Sequence, residues 1–81
     1  DWGPARAEEL TLAHLEALLA LNPQLILLGT GARQVFPPPA LLASAMTRGI
    51  GIEVMDTGAA CRTYNILMSE GREVVAGLLP I

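Results

Sequence analysis

The chain has 81 residues, of which 52% are hydrophobic and 16% charged, enough apolar side chains to fill one small core and too few charges for a disordered segment. A net charge of −3, carried with five arginines and no lysine, is a poor electrostatic footprint for nucleic acid, and no apolar run, Leu25 to Leu28 included, approaches the length needed to span a bilayer. A single cysteine excludes an internal disulfide and a cysteine-based zinc site; with no basic segment and apolar core opening the chain, the expected location is cytoplasmic.

The chain opens at Asp1 rather than at methionine, and Trp2, Gly3 and Pro4 show no pattern. A cropped part of a longer protein is expected. Thr11 is a good N-cap for a helix from Leu12 to Leu21, with Leu12, Leu15, Leu18 and Leu19 on one face. Asn22-Pro23 ends it, because the residue before proline avoids helical backbone. Residues 24–28 do not alternate and read as a strand buried on both faces, broken at Gly29-Thr30-Gly31. Phe36-Pro37-Pro38-Pro39 is a stiff connector whose last proline opens a helix over Ala40 to Arg48, with Leu41, Leu42, Ala45 and Met46 inward and Gly49 at its end. Residues 50–55 form a second strand. Asp56 or Thr57 caps a third helix running to about Glu70, where Gly71 stops it; Ala60, Tyr64, Leu67 and Met68 make its apolar stripe and Arg62, Asn65 and Ser69 its polar face. Val74 to Leu79 is the last strand. An α-β-α-β-α-β order predicts an α/β layered sandwich, three helices on a mainly parallel sheet. Three strands make a thin sheet with two edges to cover.

Candidate sites lie where the strands end. Gly29-Thr30-Gly31-Ala32-Arg33-Gln34 brings backbone N–H groups and an arginine to the carboxyl end of the first strand, as an anion cradle would. It equally reads as a tight turn, and no Gly-Lys-Ser/Thr follows to make a phosphate loop. Asp56-Thr57-Gly58 is shared with aspartic proteases, but their chemistry needs two carboxylates and this chain has one such motif, opening a helix. Gly29, Thr30, Gly31, Arg33, Gln34, Asp56, Thr57 and Arg62 are therefore expected to form one shallow binding site, with no catalytic residue and no metal. Cys61 lies one turn into the third helix; without a partner base it reads as a small buried residue. His14, the single histidine, belongs to a different helix.

The segments Leu27-Leu28-Gly29-Thr30-Gly31-Ala32-Arg33-Gln34, Phe36-Pro37, Glu53-Val54-Met55-Asp56-Thr57, Ala60-Cys61-Arg62-Thr63-Tyr64-Asn65 and Glu70-Gly71-Arg72 resemble one family. It is the small α/β domain-of-unknown-function family that includes a mitochondrial respiratory-complex-I assembly factor and an adipogenesis-associated cytosolic protein. The likeness runs from Leu10 to Ile81 and looks closest to bacterial members. It implies a three-layer fold around a mixed sheet, with roughly 40 further N-terminal residues adding a β-hairpin layer that this chain lacks. It supplies no catalytic residues and no cofactor.

The expected function is protein binding as an accessory or assembly factor, on the family's example for a membrane complex, without nucleic acid and without membrane insertion. Any homo-oligomer is expected to use an open sheet edge or a leucine-rich helix face. The alternatives are a small-molecule or anion binder using the strand-end loops, or a small thiol-dependent enzyme using Cys61.

Overall fold

The computed structural model describes residues 6–80, so Trp2 lies outside the described residues. After a 3₁₀ turn, Ala7–Glu9, the order is α1 (Leu12–Leu19), β1 (Leu25–Gly29), α2 (Pro39–Met46), β2 (Gly51–Met55), α3 (Thr57–Ser69) and β3 (Val74–Leu78). The expected α-β-α-β-α-β layered fold is present.

The three strands form one parallel sheet in the order β2-β1-β3. From β1 the chain steps to β2 on one side, then returns past β1 to β3 on the other. Right-handed crossovers in opposite directions place their helices on opposite faces. Packing agrees. Ile26 and Ile52 pack with Leu15, Leu18, Leu19 and Ala45 of α1 and α2, whereas Gly29, of opposite parity on β1, faces Thr57 of α3. The centre of the sheet is dry: Ile26 and Leu27 are fully buried and Leu28 nearly so. This explains why residues 24–28 read as a run rather than an alternation.

Caps set the helix ends as the sequence predicts. Pro39 occupies the first turn of α2, and Gly49 and Gly71 adopt φ of +71° and +77° just past α2 and α3. The α1 helix stops at Leu19, two residues short of the expected Leu21, through a turn that places Asn22 at φ +55°. At its start His14 Nδ1 accepts the Thr11 N–H at 3.0 Å, the reach-back that a glutamate makes in a capping box.

Three apolar assignments are corrected. Leu12 is 49% exposed because Leu10, before the cap, fills the core position instead and lines the same narrow apolar cavity as Leu15, one turn into the helix. Met46 is 76% exposed: Ala45 takes the last inward place of α2, and Ile50, whose N–H bonds the Ala45 carbonyl, closes the core after the turn. Met68 is 46% exposed: it shares the side of Tyr64 but stands in the last turn of α3, where Leu67 is the half-buried residue.

The two edges differ. Met55 accepts from Thr30 on the β1 side, so the neighbouring Val54 carbonyl points outward along β2, where Gln34 Nε2 donates to it at 2.9 Å. On β3, Leu79 N–H donates inward to Gly29, leaving Val74, Ala76 and Leu78 facing out along an edge that no described residue covers.

Candidate functional site

At the carboxyl ends of the strands the loops after β1 and β2 leave toward opposite faces, the arrangement that opens a ligand crevice in many α/β sheets. Here hydrogen bonds join the two loops across it. Thr30 N–H donates to the Met55 carbonyl and Thr57 N–H to the Gly31 carbonyl, both at 2.9 Å. Gly31 N–H then donates to Thr57 Oγ1 at 2.8 Å, and that hydroxyl donates to the Leu79 carbonyl at 2.7 Å. One buried threonine thus ties the ends of all three strands. Thr57 is 7% exposed, as is Thr30, and no buried side-chain polar atom among the described residues lacks a partner.

Thr30 does a second job. Its hydroxyl accepts the Val35 N–H at 3.0 Å and lies 2.7 Å from the Arg33 carbonyl, to which it donates, so the loop over 30–35 is tied to the sheet. Gly29 and Gly31 are needed for close approach. A Cβ on Gly29 would sit 2.9 Å from the Thr57 Cα, and Gly31 has φ +100° with the Pro80 carbonyl 3.1 Å from where its Cβ would be.

Of the eight predicted site residues, Gly29, Thr30, Gly31 and Thr57 come together directly; Gly31 and Thr57 bond each other, Gly29 accepts from Leu79, and Thr30 bonds Met55, Arg33 and Val35. Asp56 caps α3, its Oδ1 accepting the Ala59 N–H at 2.8 Å. Replacing Asp56 with alanine should therefore lower stability by about 1 kcal/mol, read as a denaturant midpoint shift at constant slope. Gln34 lies at the β2 edge. Arg62 is exposed and folds back one turn: its Nη1 and Asp56 Oδ1 both lie within 3.5 Å of where a Gly58 Cβ would be. Arg33 is exposed and lines a hollow that Thr30 and Gly31 of the cluster share with Arg6, Glu8 and Pro80, and no carboxylate among the described residues lies within ion-pair distance of it.

Cys61 is exposed, which corrects the expectation of burial: Ala60 takes the place against the sheet, and Cys61, the next residue round the helix, borders an open groove with Tyr64, Asn65, Ala76 and Leu78. His14 is on α1, across the sheet from α3. Among the described residues no group of three or more His, Cys, Asp or Glu side chains is placed to hold a metal ion. Arg6 was not foreseen as part of any site, since the segment around it has no periodicity.

The family model described as protein of unknown function (DUF498/DUF598) matches residues 1–79. The chain belongs to this family. DUF498/DUF598 relatives include a zebrafish protein named NADH dehydrogenase [ubiquinone] 1 alpha subcomplex assembly factor 3, 37% identical over 82 residues that cover 99% of this chain and 47% of the relative. A 13 kDa major membrane protein of Francisella tularensis is 40% identical over 62 residues, 76% of this chain and 50% of that protein. Among solved structures, a Bordetella parapertussis protein superposes with a TM-score of 0.93 at 44% identity, covering 100% of this chain and 70% of the other. The chain thus spans about half the length of the curated relatives it matches. No helix among the described residues is long and apolar enough to cross a membrane.

Proposed function

We propose that this DUF498/DUF598 domain works by binding other proteins, as an accessory or assembly factor rather than as an enzyme, and that it does so in the cytoplasm. The observation that carries the reading is the likeness, over 99% of the chain, to relatives named as assembly factors for a respiratory enzyme. Two features of the strand-end region support it. The strand-end glycines and threonines spend their hydrogen bonds inside the fold, on Met55, Val35, Leu79 and each other, while Arg33 and Arg62 are exposed and available to a partner. Exposed arginine is among the residue types enriched at protein interfaces.

Affinity capture from the source organism tests this. The wild-type domain should retain a protein in stoichiometric amount, and Arg62→Glu, which changes an exposed position, serves as the matched control. A metabolite that co-purifies stoichiometrically, with no protein retained, would replace this reading with small-molecule binding.

A further inference from the structure

The loop between β1 and α2 carries more than a connection. Arg6 and Arg33 line one hollow of about 210 Å³ at the end of the sheet, and Phe36 with Pro37–Pro39 lines a second of about 400 Å³. Both are bordered by Glu8 and Val35, so the two form one continuous surface with a cationic half and an apolar half.

Each half is built to contact something. The single ion pair among the described residues is Arg48–Glu16, so neither Arg6 nor Arg33 is held in one, and, with Glu8 the one carboxylate on their hollow, its side chains carry two positive charges against one negative. Phe36 is 66% exposed although a buried Pro37 follows it. Pro38, at φ −53° and ψ 136°, holds the backbone near the polyproline conformation. The loop is also held in place before any partner arrives: Thr30 Oγ1 bonds the Arg33 carbonyl and the Val35 N–H, and Gln34 Nε2 bonds the Val54 carbonyl. A pre-ordered loop loses little conformational entropy on association.

We propose that this surface docks a partner-protein segment in which a carboxylate stands beside an apolar side chain. The carboxylate pairs with Arg33 and Arg6, whose planar forks suit bidentate pairing, and the apolar side chain covers Phe36 and the prolines. Glu8 borders both halves, so a carboxylate is favoured only where Arg6 and Arg33 offset it and is repelled on the Phe36 side, which fixes the orientation. A phosphate or other small anion would engage the arginines alone and leave Phe36 uncovered. The proposal rests on the protein-binding reading above and gives it a location and a partner chemistry.

The test is an amide chemical-shift titration of the chain with a short blocked peptide of aspartate flanked by leucine and phenylalanine. The same peptide with lysine for aspartate, and inorganic phosphate, serve as comparisons. Saturable shifts are expected at Ala32, Arg33, Val35 and Phe36, weakening with added salt. Arg33→Glu and Phe36→Ala should each weaken binding about tenfold while leaving the thermal midpoint in place, since both positions are exposed. Absence of binding at millimolar peptide, shifts centred on the Cys61 groove, or indifference to both substitutions overturns the proposal. So does phosphate that saturates the same amides with nothing added by the peptide. A captured partner that holds Arg33→Glu and Phe36→Ala as well as wild type would sink this surface and leave the protein-binding reading standing.

Discussion

Gly29→Ala should cost about 3 kcal/mol, the upper range for forcing extra volume into a packed site. The added Cβ would lie 2.9 Å from the Thr57 Cα and 3.0 Å from both Thr57 Oγ1 and Leu78 Cδ2. Two of those neighbours can turn aside, but the first is backbone at the start of α3. Relief therefore requires α3 to move off β1, and that movement pulls the Thr57 hydroxyl away from Gly31 and Leu79. For a domain of this size the loss corresponds to a fall in thermal midpoint of about 15 °C. Gly49→Ala is the informative comparison: nothing lies within 4 Å of its Cβ position, so its penalty comes from its φ of +71° alone and should be smaller.

Thr57→Val separates the hydroxyl from the shape. Valine fills the same space but leaves the Gly31 N–H and the Leu79 carbonyl without partners in a buried place. Each orphaned group costs on the order of 1–3 kcal/mol, so a total of about 3 kcal/mol is expected. Thr57→Ser keeps both hydrogen bonds, loses one methyl group, and should recover most of that loss. A Thr57→Val chain as stable as wild type in denaturant unfolding would mean that the hydroxyl contributes nothing to closing the sheet end.

The fold was legible because local signals agree with one another. The run from Leu25 to Leu28, the Pro39 start of α2 and the glycines at 49 and 71 each point to the same element boundaries that packing then enforces. Errors fell where spacing alone could not say which of two neighbours takes the core: Leu10 over Leu12, Ala45 over Met46, Ala60 over Cys61. The eight-residue helix α1 buries three side chains and α2 one, so on such short helices a 100° step between adjacent residues decides which is covered.

The strand-end residues were legible as a cluster, and Asp56 as a cap. The hydrogen bonds between Gly31 and Thr57 were not, because the geometry that brings Thr57 Oγ1 to Gly31 depends on β1 and β2 being neighbours in register, Gly29 beside Met55. Arg6 could not be placed at all from the sequence. It reaches Arg33 only through tertiary folding.

In the proposal above, the strand-end glycine and threonine groups close the sheet, while the rim they hold in place meets the partner. The amide of Gly31 tests it most directly, by hydrogen exchange followed with and without inorganic phosphate. Because that N–H is bonded to a buried threonine hydroxyl, it should exchange as slowly as the amides of β1 and keep its chemical shift when phosphate is added. Rapid exchange of Gly31, together with a saturable shift on adding phosphate, would contradict the claim and make this loop an anion cradle.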